Sequence, residues 1–150
     1  MEGCFVCQKH QLLGRWPGGA LLADEHVVVT HRAPGTSLDP GPAVHLGHLL
    51  VEPRRHVPEL GGLSAVEAAS LGALAAQAAA ALTAAGAEHV YAAVIGHGVD
   101  HLHLHLLARW AGTPREYWWT AVDEWPDAPR GDAEGVAAFV ARLRGYLPDV

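Results

Sequence analysis

Three histidines alternate with leucines in the segment His-Leu-His-Leu-His-Leu-Leu at residues 101–107. Successive side chains of a β-strand point to opposite faces, so a strand places His101, His103 and His105 on one face. A helix would instead stack the first and third of these histidines and direct the second one away. We therefore predict a strand whose leucine face is buried and whose three imidazoles line a pocket or face water.

Composition limits the kind of protein that can contain this strand. The chain has 150 residues, half of them apolar, which predicts a single folded domain over residues 1–150. A formal net charge of -6, with Lys9 as the only lysine, argues against an extended nucleic-acid surface. The N-terminus lacks the pattern of a secretory signal, and polar residues interrupt the alanine-rich stretch 75–87. We therefore expect no membrane span and a cytoplasmic location.

Hydrophobic patterning predicts an α+β fold with a mostly antiparallel sheet, one long helix and a C-terminal helix. Besides the histidine segment, strands are expected at residues 20–23, 26–30, 47–53 and 89–95. The turn at 96–100 joins the strand at 89–95 to the histidine strand, and these two segments are expected to form a hairpin. Residues 1–20 are expected to be irregular.

Two segments have helical patterns. Ser64 and Glu67 form a capping box that starts the long helix, and Gly86 occupies the position of a C-terminal glycine. The apolar stripe of this helix is predicted to contain Val66, Leu71, Leu74, Ala78 and Leu82. The second helix is expected over residues 132–147.

Cys4 and Cys7 form a Cys-x-x-Cys motif, which indicates either zinc or redox chemistry. The redox motif normally lies in a βαβ unit, and no such pattern surrounds residue 7. Zinc needs two further ligands, which must be histidines because the chain has no other cysteine. On one strand, His101 and His105 would be separated by about 13 Å, too far to share an ion. Two buried thiols without a metal are the alternative.

These segments together resemble the histidine triad (HIT) family. Residues 101–107 match its signature of three histidines alternating with hydrophobic residues. Residues 47–56 resemble its upstream Gly-His-x-Leu-Val-x-Pro-basic-x-His segment, and Cys4 and Cys7 lie where zinc-binding bacterial members carry their cysteines. The order and spacing fit from residue 4 to about residue 109.

The resemblance implies a homodimer with a HIT-like fold and a role for each catalytic histidine. His103 resembles the nucleophile that attacks the α-phosphorus of a nucleotide and forms a nucleotidyl-histidine intermediate. His105 resembles the third histidine of the triad, which hydrogen-bonds phosphate oxygens and assists the leaving group. His48 resembles the upstream histidine that packs beside the triad.

The resemblance also implies a structural zinc. Cys4, Cys7, His56 and His101 match the four ligands of zinc-binding members. The ion would then tie the histidine strand to the N-terminal segment and take no part in the chemistry.

The turn before the triad departs from the family pattern. Members with phosphoramidase activity usually carry an asparagine there, followed by a longer loop with Gly-Gln-Ser/Thr. Here residues 95–100 contain no asparagine, and Gly98 replaces the hydroxyl residue. His97 either replaces the missing donor or is an exposed turn residue.

Other residues allow two interpretations each. His45 is expected at the surface, whereas Arg109 either meets a phosphate or is exposed. The tryptophans of residues 110–125 form either core contacts or a wall of the leaving-group pocket.

We predict an enzyme, a nucleotidyl hydrolase or transferase that acts on the α-phosphate of a nucleotide ester, phosphoramidate or dinucleoside polyphosphate. The alternative is a zinc-stabilised nucleotide-binding module with little or no turnover. A Cys-x-x-Cys oxidoreductase ranks third.

Overall fold

The computed structural model describes residues 2–148. Its central element is a five-stranded antiparallel sheet. The strands are β1 (Ala20–Ala23), β2 (Val27–His31), β3 (Val44–His45), β4 (His48–Pro53), β5 (Ala87–Val94), β6 (Leu104–Trp110) and β7 (Arg130–Gly131). The helices are α1 (Phe5–Gln11), α2 (Ala65–Ala84) and α3 (Ala133–Arg144). The main sheet has the order β1-β2-β4-β6-β5, and β3 pairs with β7. The predicted α+β class and the β5–β6 hairpin are confirmed.

Helix α2 begins as the sequence predicts. The Ser64 side chain accepts from the Glu67 backbone N–H, and the Glu67 carboxylate accepts from the Ser64 N–H. The helix packs against the sheet through buried leucines and alanines: Leu71, Leu74, Ala78, Ala81 and Leu82. Val66 is 58% exposed, so its predicted place in the apolar stripe is wrong. It lies about 100° around the helix from Glu67, which is the residue in line with the buried stripe.

The exposed face of α2 is also apolar. By length and composition alone the helix could cross a membrane, because its most apolar 18-residue window has a mean hydropathy of 1.4. In the folded chain 28% of that window is buried. The exposed positions include Ala69, Ala73, Ala76 and Ala80.

The histidine segment is only partly a strand. β6 begins at Leu104, so the prediction of a continuous strand from His101 is wrong. The Leu102 backbone N–H donates to the Val57 carbonyl outside the sheet, and the His103 ring bonds to the His101 carbonyl. These contacts bend the chain just before the sheet, so that the three histidines have different surroundings.

Helix α1 lies in a segment that the sequence predicts to be irregular. Seven residues are too few to form a stable helix alone or to give a clear hydrophobic period. Its stability comes from tertiary contacts of Val6 and Lys9, which are both buried. The Cys4 sulfur caps its first turn by accepting from the Cys7 N–H at 3.4 Å.

A buried ion pair fixes α1 to the sheet. Lys9 Nζ lies 2.6 Å from the Glu52 carboxylate on β4 and donates to Thr30 on β2. The other carboxylate oxygen lies 2.8 Å from His10 Nε2. Burial alone would raise the pKa of Glu52, but the Lys9 charge and the two hydrogen bonds hold it below its ordinary value. Each charge therefore depends on its partner to remain buried.

We expect Lys9→Met to lower the free energy of unfolding by about 3 kcal/mol, because it leaves a buried carboxylate without its cation. The double variant Lys9→Met/Glu52→Gln should regain a large part of this loss, since neither charge then remains. Denaturant titrations of both variants and the wild type measure the difference. A double variant less stable than Lys9→Met would contradict this account.

Candidate active site and metal site

The middle histidine of the triad has one ring nitrogen free for chemistry. His103 Nδ1 lies 2.7 Å from the His101 carbonyl oxygen, and a carbonyl can only accept. The Nδ1 atom therefore carries the proton, and Nε2 of the neutral ring has an available lone pair. The ring also lines a cavity of about 250 Å³. An imidazole with this hydrogen bond can act as a nucleophile on a ligand in that cavity.

The neighbouring histidines are held in their neutral form. His105 on β6 is adjacent to His103, with 4.8 Å between ring centroids, and its Nδ1 lies 2.8 Å from His48 Nε2 on β4. Burial, followed by the charges of His103 and Arg32, lowers the pKa of His105 to about 4. Burial and Arg32 also lower the pKa of His48 well below its ordinary value. Both rings are therefore neutral at pH 7.

The cavity combines an apolar wall with a polar end. Its apolar side chains are Phe5, Trp16, Leu38, Leu50, Ile95 and Val99. The polar end contains His103 and His105 together with the Arg32–Asp39 ion pair, in which Arg32 Nε lies 2.7 Å from a carboxylate oxygen. Such a site suits a ligand with one flat apolar group and one anionic group.

The turn before the triad contributes backbone and His97 to the same cavity. Gly96 and Gly98 line it and carry no side chain that could donate to a ligand. His97 is exposed, as one of its two predictions states, and it also lines the cavity. Its role as a replacement donor stays a prediction.

The four residues matched to zinc ligands form one cluster. The donor atoms of Cys4, Cys7, His56 and His101 all lie within 4.8 Å of one another. His101 Nδ1 is 3.5 Å from both sulfurs, and His56 Nδ1 is 3.6 Å from the Cys7 sulfur. A tetrahedral Zn²⁺ bound to sulfur and nitrogen separates these donors by about 3.5 Å. The cluster therefore fits a structural Cys₂His₂ zinc site.

An outer hydrogen bond orients the His101 ligand. Its Nε2 lies 2.8 Å from the Pro53 carbonyl oxygen, so Nε2 carries the proton and Nδ1 is left to bind metal. The ring is fully buried, whereas His56 is only partly covered.

The lining of the cavity does not include His45, Arg109 or Trp110. His45 is buried and its Nε2 donates to the Ala108 carbonyl of β6 at 2.9 Å, so the prediction of a surface position is wrong. Arg109 is only 14% exposed and lies over the Trp118 ring at 3.7 Å, so the prediction of an exposed arginine is wrong, and it is not among the residues that line the cavity. Trp110 packs against the core, which agrees with the first interpretation of the tryptophans.

Sequence reasoning missed the ion pair at the polar end of the cavity. Arg32 follows β2 directly, and Asp39 comes from the loop that returns toward β3. Arg32 and Asp39 are seven positions apart in the sequence, and no periodic pattern links the two positions. The sequence does contain one signal for this ion pair, because residues of opposite charge lie at the two ends of a loop segment that contains proline and glycine.

Comparison with known proteins identifies the family. Residues 23–112 match the HIT domain model, which is more than half of the chain. The chain therefore belongs to the histidine triad family. No curated protein sequence matches it significantly.

Solved structures with the same fold include several family members. A Zn-bound histidine triad family protein from Mycobacterium smegmatis has a TM-score of 0.65 at 22% identity, over 96% of this chain and 92% of that one. A hypothetical histidine triad nucleotide-binding protein from Sulfolobus tokodaii has a TM-score of 0.68 at 19% identity, over 95% and 91%. The NitFhit protein of C. elegans is 25% identical with a TM-score of 0.58, and the match covers 85% of this chain and 27% of that protein.

We expect the purified protein to contain about one zinc per chain, because Cys₂His₂ completes a tetrahedral site. Cys4→Ser and His56→Ala should each lower the zinc content and the unfolding temperature, since the ion holds α1 against the segment before β6. Elemental analysis and thermal unfolding provide the measurements, with the exposed His89→Ala as the control. Full zinc content in both ligand variants would show that the metal binds elsewhere.

Proposed function

We propose that this protein is a single-domain nucleotidyl hydrolase or transferase that acts through a covalent intermediate on His103. The observation that carries the proposal is the His103–His101 hydrogen bond, which leaves a lone pair on Nε2 beside the cavity. The apolar wall suits a nucleobase, and the histidine-lined end suits a phosphate. Family membership supports a nucleotide ligand.

The proposed reaction has two steps. In the first, His103 Nε2 bonds to the α-phosphorus while the bond from phosphorus to the leaving group breaks. The ring gains positive charge, which the His101 carbonyl stabilises through Nδ1–H. In the second step, water attacks the same phosphorus, breaks the P–N bond and releases a nucleoside monophosphate. The neutral His105 ring donates to a phosphate oxygen from the N–H of Nε2, the nitrogen that does not contact His48.

The alternative is a nucleotide-binding module with little turnover. Gly98 favours it, because the turn provides no hydroxyl or amide side chain for the leaving group within the described residues. The two candidates differ in whether a nucleotide becomes covalently attached to the protein.

The proposal includes a structural zinc, a homodimeric assembly and a cytoplasmic location. A zinc at Cys4, Cys7, His56 and His101 would be structural, because these four side chains complete its tetrahedral coordination and leave no position for a substrate. We infer a homodimer in the cytoplasm. Two surfaces support the dimer: the outer edge of β5, which no described strand pairs, and the small apolar side chains on the exposed face of α2.

His103→Ala should reduce hydrolysis of a nucleotidyl substrate by at least about a thousandfold, because a lost nucleophile removes several kcal/mol of transition-state stabilisation. Nucleotide affinity should change little. The measurements are steady-state rates, binding titrations and intact mass after rapid acid quenching, with His26→Ala as the control. A wild-type chain that binds nucleotide but never gains the mass of one nucleotide monophosphate would favour the binding module.

The rate should depend steeply on the leaving group, because burial lowers the pKa of His105 to about 4 and the ring therefore lacks an acidic proton to transfer at pH 7. Phosphate or aryl leaving groups should therefore react much faster than alkylamines. Gly98→Ser should reduce the difference if its hydroxyl reaches the leaving atom. Rates across a series of leaving groups test this expectation. A rate that does not vary with leaving-group pKa would indicate another proton donor, which His97→Ala would then identify.

A further inference from the structure

Arg32 connects the loop after β2 to the histidines of the active site. Its Nε and Nη2 donate to the two carboxylate oxygens of Asp39 at 2.7 and 2.8 Å. Its Nη1 lies 3.4 Å from His48 Nδ1. The side chain is 26% exposed and lines the cavity beside His103 and His105. The bidentate pair with Asp39 limits the orientations of the guanidinium and directs Nη1 toward His48.

This contact determines which nitrogen of His48 carries the proton. A guanidinium has only donors, so His48 Nδ1 must accept from Arg32. The proton of the neutral His48 ring is then on Nε2, which lies 2.8 Å from His105 Nδ1. His48 Nε2 therefore donates, and His105 Nδ1 accepts. The proton of the neutral His105 ring is then on Nε2.

Other neighbours do not determine this arrangement. His31 is close to His48, but both of its nitrogens are engaged: Nδ1 donates to the Arg32 carbonyl and Nε2 accepts from the Gly47 N–H. Among the described residues, Arg32 is the group that hydrogen-bonds His48 Nδ1. His105 Nε2 has no partner among them, so its N–H is available to a ligand.

We propose that Arg32 is a positioning residue that, through His48, fixes the tautomer of His105 so that an N–H donor is presented to the substrate phosphate. The role in turnover rests on the proposed function, whereas the tautomer itself does not. Without Arg32, His48 and His105 could reverse the direction of their shared hydrogen bond. The reversed arrangement places a lone pair on His105 Nε2, which repels a phosphate oxygen instead of donating to it.

The direct test is nitrogen NMR of ¹⁵N-histidine protein at pH 7, which distinguishes protonated from unprotonated ring nitrogens. The wild type should show His105 protonated on Nε2 and unprotonated on Nδ1. Arg32→Met should give a mixture of the two tautomers. Arg32→Lys should restore the wild-type pattern, because an ammonium also only donates. Arg15→Met, which changes an exposed arginine, is the matched control.

Kinetics provide the second measurement. Arg32→Met should lower kcat by at least about tenfold with a smaller change in KM, because a donor to a developing negative charge acts mainly in the transition state. Arg32→Lys should recover a substantial part of kcat.

A wild-type His105 protonated on Nδ1 would overturn the proposal without any variant, so it stays testable if Arg32→Met does not fold. An Arg32→Met protein with unchanged tautomers or unchanged kcat would also overturn it. If the tautomers respond as expected but the wild type never turns over a nucleotidyl substrate, the proposed function fails and the tautomer assignment holds.

Discussion

His101 joins the metal site to the proposed nucleophile, and the rest of the active site depends on its position. Its Nδ1 belongs to the Cys₂His₂ cluster, its Nε2 donates to the Pro53 carbonyl of β4, and its own carbonyl accepts from His103 Nδ1. One residue therefore fixes α1, the end of β4 and the free nitrogen of His103 relative to each other. A shift of this ring would move all three.

Two hydrogen bonds to groups of fixed polarity define the chemistry of the triad. A carbonyl, which only accepts, leaves His103 Nε2 unprotonated. A guanidinium, which only donates, acts through His48 and leaves the proton of His105 on Nε2. Without such neighbours, a neutral histidine can carry its proton on either ring nitrogen, so each nitrogen can donate or accept. Neighbours that can only donate or only accept thus distinguish two chemically identical side chains, the proposed nucleophile His103 and the proposed hydrogen-bond donor His105.

Local signals explain which features the sequence could predict. The Ser64–Glu67 capping box and the β5–β6 hairpin depend on residues a few positions apart, and both form as expected. The four cysteine and histidine ligands followed from family resemblance. By contrast, α1 is stabilised by Lys9 and its buried partner on β4, and the Arg32–Asp39 pair forms through loop closure. Such features depend on contacts that a single segment of sequence does not contain.

Phe5 lies between the metal ligands Cys4 and Cys7 and also forms part of the cavity wall. Any ligand that gains binding free energy from this ring gains it from a helix whose position the metal ion would stabilise. Thermodynamic reciprocity then requires that metal and cavity ligand change each other's affinity by the same factor. Phe5 thereby couples the binding of a structural ion to the binding of a ligand in the cavity.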